Sequence, residues 1–237
     1  MNSMSKLKLV AGVLLLAGVA ATQAADITGK VTLKGTPPPE KDLPLDPSCG
    51  KLWPKEKPKT RFYVVGGDGG LADVLVYLKQ AEAKGAPSKP ALLDQKGCEY
   101  APYIMGLQTG QKLLIRNSDP VLHNVHATPK TNKEFNLAQM AGGKDIERTL
   151  DQTEVFVRFK CDVHPWMFAY VGVLPHGYFA VTDKDGSYKI EGVPAGKYTV
   201  VAFHRKAHGT EDKAATQEIT VGDSGASANF TVEVPPS

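Results

Sequence analysis

The sequence predicts an all-β protein built from β-sandwiches, and three observations carry that prediction. Short runs of alternating apolar residues fill the chain after its first two dozen positions. Turns rich in Gly, Pro and Asp separate them. No long stretch shows helical periodicity, apart from a turn or two at 132–139. Many short strands punctuated in this way indicate antiparallel sandwiches rather than a parallel α/β sheet.

Taken in order, the chain opens on an export signal. Lys6 and Lys8 form a basic start, and 9–21 is an uncharged apolar or small-residue stretch. Thr22-Gln23-Ala24-Ala25 then offers a cleavage site after Ala24,. The apolar stretch is shorter than the roughly 20 residues a spanning helix needs, so no stable membrane insertion is expected. With no cysteine near the site, lipid attachment is not expected either. The mature protein is expected in the periplasm.

The first strand is expected at 27–33, followed by an irregular Pro- and Lys-rich stretch at 37–58. The strand at 72–78 sets Val74, Val76 and Leu78 on one face and Leu75 and Tyr77 on the other,. Residues 81–90 have linker composition, and a second boundary falls near 175–177. Between them, strands are expected at 112–116, 123–127, 145–150, 154–160 and 170–174. The last group is 178–182, 187–190, 197–202, 217–221 and 229–234, with tight turns at Asp183-Lys184-Asp185-Gly186 and Pro194-Ala195-Gly196,.

The 237 residues are 42% hydrophobic and 22% charged, ordinary for a globular chain,. The formal charge of +3 falls to +1 once Lys6 and Lys8 leave with the signal, too little to imply nucleic acid as a partner,. The three cysteines, Cys49, Cys98 and Cys161, permit three single pairings. Cys49–Cys98 is the expected disulfide, because both sit in turn-like contexts and Cys161 stands among metal-binding residue types,. A free thiol at Cys49 or Cys98 is the alternative.

The chemistry concentrates in Cys161-Asp-Val-His164-Pro-Trp-Met167, where thiolate, imidazole and thioether follow one another with two residues between each. One short loop can wrap all three around a single ion. Copper, cycling between Cu(I) and Cu(II), suits such a set once a second imidazole joins it. Zinc has no use for the thioether. His123 supplies the second imidazole, after the turn Asn117-Ser-Asp119-Pro120; His126, three residues on, points to the opposite face of an extended strand,.

These motifs resemble the cupredoxins, amicyanin-like and plastocyanin-like members in particular. Residues 101–119 look like that family's strand, Gly turn and strand leading into its first ligand. His123-Asn124-Val125-His126 and Cys161-Asp-Val-His164-Pro165-Trp-Met167 match the amicyanin pattern, and the likeness spans 91–174. It implies one copper ion in a mononuclear blue centre, held by His123, Cys161, His164 and Met167. Cys161 would be the strongly bonded thiolate, His123 the buried imidazole, His164 the ligand nearest the surface and Met167 the weak axial ligand. Asn124 would tie the two ligand loops together. Pro165, Trp166 and Phe168 form a candidate docking patch, with core packing as the alternative for the two aromatics. His126 is expected beside the site without binding metal. His176, His204 and His208 could form a second metal site or face solvent.

Residues 177–200 are similar to the carboxypeptidase regulatory-like domain, a transthyretin-like sandwich, as are the strands at 27–31 and 72–78. The likeness implies a cupredoxin unit (91–175) inserted in, or packed on, a second sandwich made from 25–90 and 176–237. Such modules carry no catalytic residues, and no zinc-and-carboxylate constellation supports a peptidase. An oxidase or nitrite-reductase reading lacks the paired His-x-His motifs and the His-Cys-His run, so no enzymatic activity is expected. The function implied is one-electron transport between redox partners such as a cytochrome, dehydrogenase or oxidase. Copper storage or delivery is the alternative.

Overall fold

The computed structural model describes residues 24–82 and 89–235. The signal segment up to residue 23 and most of the 81–90 linker lie outside the described residues. What is described is nearly all strand, arranged as two β-sandwiches. No helix among the described residues is long and apolar enough to cross a membrane.

The first sandwich is built from 91–174. One sheet runs in the order Ile104–Gln108, Phe168–Leu174, Glu154–Lys160, His123–Thr128, Phe135–Gln139. The facing sheet runs Tyr100–Ala101, Ala91–Gln95, Leu113–Asn117, Ile146–Arg148. Alternation decides what lies between them. Val157 and Phe159 of one strand, Ala169, Val171 and Val173 of its neighbour, and Leu93, Leu113 and Ile115 from the opposite sheet share one fully buried core.

The second sandwich faces the sheet Ser187–Val193, Ala25–Lys34, Ala226–Ser227, with Phe230–Glu233 also paired to Ala25–Lys34, against the sheet Phe179–Val181, Leu75–Leu78, Gly196–Phe203, Ala215–Val221. Its core holds Ile27, Val31, Val74, Val76, Leu78, Val200, Ala202 and Val232. Leu75, Tyr77, Val201 and Phe203 alternate with that set and point the other way. There they meet Tyr103, Ile104 and Leu174 of the first sandwich. This third apolar cluster explains why Leu75–Leu78 is buried at every position: both faces of its sheet are covered,.

Two glycines allow that contact. Gly106 and Gly172 are paired across neighbouring parallel strands. A Cβ on Gly106 would come within 2.3 Å of the Phe179 ring, and one on Gly172 within 2.4 Å of Leu75 Cδ2. The sheet that holds both glycines therefore presses against the sheet that holds Leu75 and Phe179 where no side chain intervenes,.

Two local expectations change. Residues 132–139, expected to hold a turn or two of helix, contain the edge strand Phe135–Gln139, whose pairing with His123–Thr128 outweighs local helical preference,. Ala91–Gln95 joins the list of strands, paired parallel to Leu113–Asn117 and antiparallel to Tyr100–Ala101,. Ile104–Gln108 and Leu113–Asn117 are the two strands expected either side of the Gly turn in 101–119.

Gly106→Ala is expected to destabilise the protein by about 1–3 kcal/mol, since overpacking a tight contact forces neighbours aside. Gly67, with open space where a Cβ would sit, should accept alanine within about 0.5 kcal/mol. Urea unfolding of the two variants checks the difference.

Candidate metal centre

Each candidate ligand is placed by a local device readable in the chain. Asn117, Ser118 and Asp119 form an Asx turn, the Asp119 N–H donating to Asn117 Oδ1 at 3.0 Å,. The Asn117 amide in turn donates to the carbonyls of Val121 and Gln139. This fixes the entry of strand His123–Thr128, whose first residue is His123. Cys161 leaves strand Glu154–Lys160, and Met167 enters strand Phe168–Leu174, its antiparallel neighbour. The loop between them is closed by Cys161 N–H to the Met167 carbonyl (3.1 Å) and Met167 N–H to the His164 carbonyl (2.9 Å).

These devices bring three donors together in the interior. His123 Nδ1 lies 2.9 Å from His164 Nδ1, and Cys161 Sγ lies 3.7 Å from His164 Nδ1. His123, Cys161 and His164 are 0%, 1% and 2% exposed, so the cluster is closed to water. His164, expected nearest the surface, is covered as His123 is. Met167 is buried in the same core as Cys161.

The outer nitrogens of both imidazoles are held by carboxylates. His123 Nε2 is 2.9 Å from Asp119 Oδ2, and His164 Nε2 is 3.2 Å from Asp46 Oδ2. Nitrogens that donate outward to carboxylates leave lone pairs on both Nδ1 atoms, facing each other beside a sulfur. That arrangement calls for a cation. In the metal-free chain the surroundings favour a proton on His123: burial disfavours charge there, but Asp119 and Cys161 outweigh it and raise its pKa. Burial and the neighbouring His123 lower that of His164. Burial pushes the Cys161 thiol up, yet the His123 bond and the backbone N–H groups around it prevail and lower its pKa, favouring the thiolate,. Two imidazoles and a thiolate, with the buried Met167 thioether supplied by the same loop, fit copper by donor chemistry,.

Asn124 links the two ligand loops. Its Oδ1 accepts from the Asp162 N–H at 2.6 Å and the Val163 N–H at 3.3 Å, and lies 3.3 Å from Cys161 Sγ. Its backbone N–H points at the same sulfur from 3.5 Å. Tyr100 donates from beneath to the carbonyls of Asn124 and Lys160. Cys49 and Cys98 form a disulfide, and Cys161 is free. Of the candidate docking residues, Pro165 is exposed while Trp166 and Phe168 are half-buried. The Trp166 indole donates to the Cys98 carbonyl at 3.1 Å, and Phe168 packs on Tyr103 and Tyr170.

The other histidines are engaged elsewhere. His126 lies between Asp162 and Glu134 at 2.8 and 2.9 Å. His176 bonds to the Leu78 carbonyl and the Tyr178 N–H. His204 caps the helical turn Arg205–His208 through the Ala207 N–H, and His208 accepts from the His204 N–H. Among the described residues, the groups of three donors converging within 4.8 Å all lie at the His123–His164 centre.

Sequence reasoning missed Asp46 and Asp119. Asp119 stands four residues before His123, inside a turn already recognised. Asp46 heads Pro47-Ser48-Cys49-Gly50, a helix-start pattern of N-cap Asp and following Pro,.

No protein-family model matches the chain, and no curated protein matches it. Solved structures of cupredoxins are similar to part of it. A purple cupredoxin from Nitrosopumilus maritimus is 22% identical with a TM-score of 0.30, covering 35% of this chain and 98% of its own. A copper-containing nitrite reductase from Thermus scotoductus is 16% identical with a TM-score of 0.34, covering 40% of this chain and 25% of its own. A Cu(I) amicyanin variant is 18% identical with a TM-score of 0.32, covering 41% of this chain and 97% of its own.

His204, stacked on Tyr63, is buried enough that its pKa falls to about 3. Between that value and 6.5 the unfolded chain binds a proton the folded chain refuses. Stability present above pH 6.5 is therefore lost as pH falls and levels off near pH 3, at about 1.4 kcal/mol per unit. His204→Asn, which keeps a capping side chain, should lose that part of the slope in urea titrations across the range.

Proposed function

We propose that this protein is a periplasmic one-electron carrier whose centre is a cupredoxin-type blue copper site. His123, Cys161 and His164 would be the strong ligands and Met167 the weak one. The observation that carries the reading is the convergence of His123 Nδ1, His164 Nδ1 and Cys161 Sγ in a closed interior. Bound copper would supply a Cu(I)/Cu(II) couple. The chain's own part is to hold the donors so that neither oxidation state demands rearrangement. The Asn124 bonds fix the Cys161 loop, the Asx turn fixes His123, and carboxylates fix both imidazole tautomers,.

A carrier needs a closed, rigid centre, whereas delivery of the ion needs an open one, and the burial of all three donors favours the carrier. The second sandwich would be a carboxypeptidase regulatory-like module that stiffens the outer face of the ligand-bearing sheet. The partner would be another redox protein. No catalytic role is proposed for the chain itself.

Copper-loaded, oxidised protein should show an intense visible thiolate-to-copper absorption band. Cys161→Ala should abolish it. Met167→Leu should keep it while raising the reduction potential, since the lost thioether stabilises Cu(II) more than leucine does. A colourless copper complex would contradict the proposal.

A further inference from the structure

The two carboxylates that hold the outer nitrogens are joined to each other through the disulfide. Asp46 Oδ1 accepts the Cys49 N–H at 2.8 Å while its Oδ2 faces His164. Asp119 Oδ2 accepts the Cys98 N–H at 2.7 Å and also faces His123, while its Oδ1 accepts the Gly97 N–H at 2.6 Å. The same order, cysteine then carboxylate then imidazole, is thus built twice, and Cys49–Cys98 closes the two halves into one clasp. The sulfur of Cys49 lies within 4.8 Å of a His164 ring nitrogen, and that of Cys98 within 4.8 Å of a His123 one.

Local geometry is arranged around this clasp. Cys98 adopts a left-handed φ of +57°, unusual for a residue with a Cβ, and Asp119 binds the two N–H groups which that conformation turns inward,. Two indoles grip the same loop, Trp53 on the Gly97 carbonyl and Trp166 on the Cys98 carbonyl. Asp46 caps the four-residue helical turn Pro47–Gly50 in the Pro-rich stretch, and Cys49 is the buried residue of that turn. The disulfide covalently ties that turn to the rest of the centre.

We propose that Asp46 and Asp119 are positioning residues for both metal-binding imidazoles, and that the Cys49–Cys98 disulfide couples them, so that its redox state tunes the reduction potential of the centre. This rests on the copper reading above. With the clasp closed, a carboxylate on each Nε2–H makes the imidazole a stronger donor and favours Cu(II), which lowers the potential. A dithiol reductant that reaches these buried sulfurs, both 0% exposed, opens it: the Cys49–Cys98 S–S bond breaks, both sulfurs become thiols by gaining two electrons and two protons, and the reductant's dithiol closes to a disulfide,. Asp46 is then no longer tethered over His164, and the potential rises.

The test compares wild type, Asp46→Asn and the double variant Cys49→Ala/Cys98→Ala. Asparagine keeps the N-cap and removes the charge, so Asp46→Asn stands even if the double variant fails to fold. Voltammetry of the copper-loaded proteins should place both variants above wild type by a tenfold change in the one-electron equilibrium, which is 59 mV. In the metal-free proteins, diethyl pyrocarbonate followed by peptide mass spectrometry should modify His164 at least tenfold faster in both variants. Potentials and His164 rates equal to wild type would overturn the clasp. A wild type without a thiolate-to-copper band would instead overturn the copper reading, while the metal-free His164 rates still decide whether Asp46 and the disulfide cover that ring.

Discussion

Everything at this centre depends on two imidazole nitrogens held 2.9 Å apart beside a sulfur, in an interior that excludes water. Left as two lone pairs, such an arrangement is repulsive, and a cation resolves it. The Asx turn before His123, the backbone bonds that close the Cys161–Met167 loop, and the carboxylates behind each ring all act to keep those atoms converged. The site resists relaxation because its ligands are fixed from several directions at once.

The sandwich architecture supplies that resistance. Strands His123–Thr128 and Glu154–Lys160 are neighbours, so the first ligand and the ligand loop emerge from one end of one sheet. The inner face of that sheet is locked by Val157, Phe159 and Val171, and part of its outer face by the second sandwich, whose Leu75 and Phe203 cluster with Ile104 and Leu174. Gly106 and Gly172 permit the close contact that covers it. A sheet buried on both sides has little freedom to shift its loops.

How much of this was legible in the chain depended on distance along it. Cys161, His164 and Met167 share one short loop, so their spacing alone suggested a common ion. His123 was found through the turn that precedes it. The alternation of Val74, Val76 and Leu78 against Leu75 and Tyr77 was readable, and it holds because each set enters a different core. Asp46 was not legible as a partner of His164: it lies far upstream in a stretch without periodicity, and only tertiary folding and a disulfide bring it there. The strand at Phe135–Gln139 was missed because its residues suit a helix locally and its neighbour decides otherwise,.

X-ray absorption at the copper edge of the loaded, oxidised protein tests the central claim most directly. One short copper–sulfur vector together with two imidazoles is the predicted result, with the sulfur lost in Cys161→Ala. A copper environment of nitrogen and oxygen alone in the wild type would contradict it.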